Sequence, residues 1–131
     1  MKKPKRSTLI RKLDRIFSEY IRKRDTNHKG QVECISCQKT FQYKEVDAGH
    51  FISRKYLRTR WDEKNVHGQC RRCNRFAYGE QYLYSINLDR KFGNGTAEKL
   101  LMKSRQMIKL DSYDLQQLIE KYQKKLDNLC E

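Results

Sequence analysis

The chain has 131 residues, 37% of them hydrophobic and 35% charged, and 30 Lys+Arg against 16 Asp+Glu give a formal net charge of +14. That length suits one domain over 1–131 with a thin core, and the cationic surplus favours a polyanionic partner, a phosphate backbone above all. No stretch approaches membrane-spanning length and the basic start Met1–Arg6 has no apolar segment behind it, so neither export nor a membrane partner is expected and a cytoplasmic location is.

Residues 1–6 read as a basic arm. Behind Ser7, read as an N-cap, Leu9, Ile10, Leu13, Ile16, Phe17, Tyr20 and Ile21 recur at helical spacing, which predicts a helix over 7–25. Asn27 and Gly30 mark a turn. Short strands follow: Val32–Cys34, a return over Phe41–Tyr43, and Val46–Ile52 carrying His50. After a basic loop over Ser53–Lys64, Asn65–Gln69 reads as a brief strand. A helix is expected from about Cys73 to Lys91, with Gly79 a point of interruption and Gly93 a stop signal. Asn94-Gly95-Thr96 reads as a turn and helix cap, Thr96 starting a helix over 97–107. Asp111 or Ser112 caps a long final helix through about Leu129, whose apolar stripe is Leu115, Leu118, Ile119, Tyr122, Leu126 and Leu129. The fold class is thus α+β, a small zinc-stapled ββα centre over 30–92 flanked by terminal helices at 7–25 and 96–130. The terminal stripes hold more apolar surface than so small a centre can bury. They either form dimer surfaces or pack on each other within one chain.

Five cysteines are present, and four form two Cys-x-x-Cys knuckles, Cys34/Cys37 and Cys70/Cys73, with 33 residues from Cys37 to Cys70. Four thiolates at this spacing make a closed, structural zinc site that leaves no coordination position for water. The usage fits a reducing compartment and metal binding better than disulfides, with Cys130 a spectator thiol.

Polar residues between the knuckles carry the candidate chemistry. Phosphodiester cleavage needs a base for water, a hard cation on the phosphate and a group that orients the base. His50 supplies an imidazole whose ordinary pKa suits the first task. Asp47 and Asn74 supply oxygens of the kind Mg2+ or Mn2+ prefers. Asn65, on the facing strand, has an amide able to bridge backbone groups and orient His50. His67 shares strand parity with Asn65 and is open between touching DNA, binding metal and packing on the knuckle. Arg54, Lys55, Arg58 and Arg60, with Tyr56 and Trp61, lie between the two halves of the pocket, where phosphates would run and unpaired bases would stack. Arg71, Arg72 and Arg75 flank the second knuckle and stand ready to brace phosphates.

Cys34-Ile-Ser-Cys37, Asp47-Ala-Gly-His50-Phe51, Asn65-Val-His67-Gly-Gln-Cys70 and Cys70-Arg-Arg-Cys73-Asn74 together resemble the HNH, or ββα-metal (His-Me finger), endonucleases. More narrowly, the Asp-Ala-Gly-His, Asn-Val-His and Cys-Asn segments and the Tyr-Gln-Lys-Lys-Leu ending resemble the NinG/Rap recombination proteins of lambdoid phages, from about residue 10 to 129. The long cysteine-containing N-terminal extension of that family has no counterpart in the resemblance. A phosphodiester hydrolase that cuts branched DNA, Holliday junctions included, in phage recombination is what the resemblance implies, and with it the host-cell cytoplasm. It matches His50 to the general base, Asn65 to the middle asparagine and Asn74 to the metal-binding third position. Gly49 departs from the aspartate usual before the base, and Asn74 from the commoner histidine. The zinc-bearing junction resolvase of T-even phages is similar in both the asparagine and an aspartate three residues before a histidine, which points to Asp47 as the metal carboxylate. Gly49 also motivates a different expectation, a zinc-stabilised DNA-binding recombination accessory protein without catalysis. An RNA-directed or nonspecific nuclease of the same fold is a third. Paired incisions across a near two-fold junction favour a homodimer.

Overall fold

Two helices from opposite ends of the chain supply most of the hydrophobic core in the computed structural model, which describes residues 3–130. Helix α1 (Arg6–Arg24) buries Leu9, Leu13, Ile16, Phe17, Tyr20 and Ile21 along one face, and α5 (Ser112–Leu129) answers with Leu115, Ile119, Tyr122 and Leu126. The Phe17 and Tyr122 rings meet edge to face, with centroids 4.8 Å apart. The two stripes therefore bury each other within one chain, and the surplus apolar surface that argued for a dimer is largely spent. Leu129, counted in the stripe, lies 47% exposed beyond the contact.

Between these helices the chain forms two small antiparallel sheets. Strands β1 (Gln31–Glu33) and β2 (Thr40–Gln42) make a hairpin whose turn carries the first knuckle. A 3-10 turn (Tyr43–Glu45) leads to β3 (Val46–His50), which pairs with β4 (Val66–Cys70) so that Asp47 faces Gln69, Gly49 faces His67 and His50 faces Val66. The bond from Ile35 N to Gly68 O, 3.1 Å, joins the hairpin to this second sheet. A short helix α2 (Leu57–Arg60) interrupts the basic segment that was expected to be loop. The fold class is mixed α+β, two small sheets and several helices.

The expected helix from Cys73 to Lys91 is two elements. A π-helical turn (Arg72–Phe76) follows β4, and α3 (Gln81–Phe92) starts only after Tyr78, Gly79 and Glu80 reverse the chain in left-handed conformations. Gly93, at φ 112, ends α3 where the stop was expected. Helix α4 (Thr96–Ser104) is capped by Gly95, so Thr96 lies inside the helix and its hydroxyl donates to Gly93 O at 2.7 Å. Ser7 is likewise inside α1, which begins at Arg6 behind Lys5 with no side-chain cap. Arg6 donates to Leu110 O at 3.0 Å, so the basic arm is shorter than 1–6. Its first residues, Met1 and Lys2, fall outside the described residues. Asp111 caps α5 by accepting from Asp114 N at 2.8 Å, and Asp114 returns the bond. Among the described residues no helix is long and apolar enough to cross a membrane.

Candidate active site and metal centre

The four knuckle cysteines converge. Their sulfurs lie within 4.8 Å of one another, with Cys37 Sγ 3.9 Å from Cys70 Sγ, and none is in a disulfide. Tetrahedral zinc with bonds of about 2.3 Å requires sulfurs about 3.8 Å apart, so a small contraction closes the shell. Cys34, Cys70 and Cys73 are buried. The Cys70 and Cys73 amides donate to Cys34 Sγ and Cys70 Sγ at 3.3 and 3.5 Å, as thiolates in a zinc knuckle require. Burial pushes the Cys34 and Cys73 thiols up, and for Cys73 the neighbouring sulfurs add to it. Four thiolates need a cation among them, and an all-sulfur set with no open side could hold a zinc ion.

Zinc-knuckle geometry in turn places the candidate active site. A cleft of about 710 Å³ opens along the free edge of β3, lined by Asp14, Asp47, His50, Asn74 and the guanidinium-bearing Arg54, Arg71 and Arg75. Strand β3 pairs only with β4, so residues on both of its faces reach the open edge. Asp47 and His50, of opposite parity, thereby line the same cleft, and Asn74 comes to it from the π-helical turn.

His50 Nε2 lies 2.9 Å from the carbonyl oxygen of Arg60. A carbonyl only accepts, so Nε2 carries the hydrogen and the neutral ring keeps its lone pair on Nδ1. Burial pushes the imidazole down to about 4, opposed by the Arg60 carbonyl and helped by the Arg54 charge. The ring is therefore neutral near pH 7. Arg60 is held in turn by Asp14, which accepts from its guanidinium at 3.1 and 2.6 Å and from Trp61 Nε1 at 3.0 Å. Asp14 thus orients the peptide that orients His50. It was not anticipated, since a single acid on a basic amphipathic helix reads as solvated.

Asn65 is fully buried and its amide bridges backbone groups. Its Oδ1 accepts from Ile52 N at 2.7 Å, and Nδ2 donates to Ile52 O and Thr59 O at 3.0 Å each. These bonds close the loop between β3 and β4 and carry the Arg60 carbonyl to His50.

Asp47 accepts from Arg75 at 2.9 and 2.8 Å and from Asn74 Nδ2 at 3.0 Å. Burial alone would push this carboxyl up, but the guanidinium and amide hold it below the ordinary carboxylate value. Three of its lone-pair positions are occupied and one remains, while Asn74 Oδ1 has no protein donor among the described residues. Arg75 is 55% exposed. The oxygen set of Asp47 and Asn74 fits a hard cation in composition.

Gly49 stands where the resembled pattern has an aspartate, and the reason is steric. A Cβ there would lie 1.9 Å from Gln69 Oε1 and 2.9 Å from Gln69 Cβ. Gln69 is buried and fixed by donating from Nε2 to Ser36 Oγ at 2.8 Å and Gly79 O at 2.7 Å. A side chain is therefore excluded at this position, and Asp47 is the acid of β3 that lines the cleft.

Trp61, expected where bases would stack, and His67, open between DNA, metal and packing, are both interior. His67 is 1% exposed and neutral, pushed down to about 3 by burial. Tyr84 gives its own proton to Gly49 O at 2.6 Å, so His67 Nδ1 donates to Tyr84 Oη at 3.3 Å and the pair braces β3 from behind. Trp61 is 7% exposed and packs in the main core. Arg60 is tied to Asp14. Arg54 lines the cleft, Lys55 lies against Tyr56, Arg58 reaches Gln106, and Arg72, exposed beside the second knuckle, donates to Cys73 Sγ at 3.5 Å. Arg71 donates to Lys44 O at 2.6 Å on the cleft wall. Gln69, Tyr84 and Asn87, whose amide donates to Ile35 O and Ser36 O, were not singled out beforehand. Only the inward parity of Gln69 on a strand with every residue buried could have flagged it.

Comparison with known proteins adds the lineage. The whole chain, residues 1–131, matches the family described as Bacteriophage Lambda NinG protein. It is 30% identical over 96 residues to Protein ninG of Escherichia phage 933W, with 72% of this chain and 45% of that protein covered. Protein ninG of Salmonella phage P22 gives 30% and that of Escherichia phage lambda 29% over the same length and shares. The chain thus spans about half the length of the curated relatives it matches. No solved structure matches it. By the family match over its full length, this chain belongs to the NinG family.

Proposed function

We propose that the protein is a metal-dependent DNA endonuclease of the HNH type that cuts branched DNA, Holliday junctions among them. The succession of β3, β4 and a following helix supports a ββα-metal centre. The observation that carries the reading is His50: its Nε2 hydrogen is committed to Arg60 O, which leaves Nδ1 the basic nitrogen, and the residue lines the cleft shared by Asp47 and Asn74. In that arrangement His50 Nδ1 takes a proton from a water molecule lined up on phosphorus. Asn65 and Asp14 act through the Arg60 peptide and keep the ring from rotating. Asp47 and Asn74 would hold Mg2+ or Mn2+, and the cation when bound offsets charge that builds on the phosphate oxygens. Arg54, Arg71 and Arg75 line the cleft and neutralise the flanking backbone, with Lys55, Arg58 and Arg72 at its margins.

A second reading has its own support. The Asp47 carboxylate is already paired with Arg75 and Asn74, as it would be in a zinc-stabilised DNA-binding accessory protein that does no chemistry. Incubating the protein with labelled four-way junction and linear duplex in Mg2+, Mn2+ or EDTA separates the two. Metal-dependent nicking of the junction, lost in His50→Ala with junction binding retained, is expected. Tight binding with no nicking in either metal favours the accessory reading, and equal turnover by the variant removes His50 from the mechanism. A homodimer on the near two-fold junction belongs to the same proposal, and sedimentation showing only monomer with junction present would remove it.

A further inference from the structure

Phe76, Tyr78 and Tyr82, at the end of the π-helical turn, in the reversal and at the start of α3, are 78%, 94% and 77% exposed. Large aromatic rings are normally the best-buried side chains of a small domain, so three together on the surface call for a partner. The backbone beneath them is strained. Tyr78, Gly79 and Glu80 have φ of 51°, 82° and 46°, a left-handed run that costs the two non-glycine residues free energy. Buried bonds hold it there: Gly79 N donates to Cys73 O at 2.7 Å, and Gly79 O accepts from Gln69 Nε2 at 2.7 Å and Ser36 Oγ at 3.4 Å. The zinc-knuckle scaffold thus fixes a conformation that turns Tyr78 outward.

The turn also borders the candidate active site. Tyr78 and Gly79 line a hollow of about 380 Å³ together with Tyr56, and His50 and Asn74 belong to both this hollow and the main cleft. Cations frame it. Lys55 and Arg105 lie 5.7 and 5.4 Å from the centroid of the Tyr56 ring that lines it. Aromatic faces interleaved with guanidinium groups suit a single-stranded nucleic acid, whose bases offer π-faces while its phosphates track the positive charge. A continuous duplex hides those faces in its own stack.

We propose that Tyr78, flanked by Phe76 and Tyr82, is a stacking platform for unpaired nucleobases next to the cleft, and that it makes the protein prefer DNA with splayed strands over uninterrupted duplex. The platform rests on the reading that the cleft takes DNA, but not on cleavage. It replaces Trp61 as the stacking group.

The test is equilibrium binding in EDTA of a forked duplex carrying 2-aminopurine at its first unpaired position, alongside the fully paired duplex. Wild type, Tyr78→Phe and Tyr78→Asn are compared, asparagine being tolerant of the left-handed backbone. Wild type and Tyr78→Phe should alter the fluorescence of the unpaired 2-aminopurine. Tyr78→Asn should lose that change, and its fork-over-duplex affinity ratio should fall by about 5- to 100-fold, the range of one base–aromatic stack. The melting temperature should stay within a few degrees of wild type. An unchanged ratio and fluorescence in Tyr78→Asn would overturn the platform. So would loss of self-association in that variant with fork binding intact. Wild type that binds duplex without fork preference sinks the platform alone, whereas no binding to either DNA sinks the nucleic-acid reading as well.

Discussion

His50 is held by a relay of neutral and charged hydrogen bonds, and each link predicts something different. With the imidazole pushed down to about 4, its base form is complete at neutral pH. The acid limb of kcat/KM for junction cleavage should therefore lie below pH 5, and a limb near 6.5 would show that another group, or an unburied His50, is titrating. Asn65→Ala leaves Ile52 and Thr59 backbone groups buried without partners, so a loss of about 2–4 kcal/mol is expected by urea denaturation, with activity lost even under folding conditions. Asp14→Asn frees Arg60 from an ion pair without emptying the position. It should lower kcat more than it raises KM, because the relay orients the base and does not grip substrate. Gly49→Ala pushes a methyl into Gln69 and should cost about 1–3 kcal/mol, with much of it restored when Gln69→Ala is added. A double-mutant cycle that proves additive would place the clash elsewhere.

At the scale of elements, the long helices were the most legible and the turns the least. Seven apolar residues at helical spacing announce α1, and their regular period leaves one face to bury. Asp111 and Asp114 announce α5 in the same way through a reciprocal cap. Ser7 and Thr96 misled because a hydroxyl can cap only if the preceding backbone lets it stand outside the helix. Pro4-Lys5 and Gly95 had already made the turn. The π-helical turn after Cys73 was not legible either, since it exists to bring two sulfurs and Asn74 to different partners at once. Strands β3 and β4 show the limit of parity: Asp47 and His50 point to opposite faces yet share a cleft, because an open sheet edge serves both. The α1–α5 pair holds the main core, so Leu13→Ala should cost about 2–5 kcal/mol in chemical denaturation, while Leu129→Ala, outside the contact, should cost less than about 0.5 kcal/mol.

For the whole molecule, the thin core and the cysteine cluster are two anchors of one fold. The α1–α5 core contains no cysteine of the cluster. Chelation of a zinc ion held by the cluster should therefore weaken the near-UV circular dichroism only in part, because Phe17, Tyr20, Trp61 and Tyr122 belong to the α1–α5 core, while sparing much of the helical far-UV signal and releasing about one zinc per chain. A chain that keeps its full near-UV spectrum and holds no zinc would remove the cluster from the fold. The two buried imidazoles add a pH dependence. His50 and His67 titrate near 6.5 when unfolded but only near 4 and 3 when folded, so the unfolded chain takes up protons first as pH falls. Their contribution is complete above about pH 6.5 and declines toward 4, by at most about 1.4 kcal/mol per pH unit for each ring. Urea midpoints measured in excess zinc between pH 7.5 and 5 should show the decline, and His67→Gln should flatten it.

What the sequence determined by itself was whatever depends on short spacing: the helical stripes, the thiolate pairs, the cationic surface and the polar set of His50, Asn65 and Asn74. These are properties of adjacent residues, and a period or a Cys-x-x-Cys step is enough to read them. Only the tertiary structure decided which aromatics are inside, since Trp61, between the charged Arg60 and Asp62, is 7% exposed while Tyr78, between the uncharged Ala77 and Gly79, is 94% exposed. It also decided that Asp14, on the first helix, governs His50 through a peptide 46 residues away, that Gln69 excludes a side chain at Gly49, and that the terminal stripes satisfy each other. Long-range contacts of that kind are set by which surfaces the fold brings within a few ångströms, a quantity that no local pattern contains.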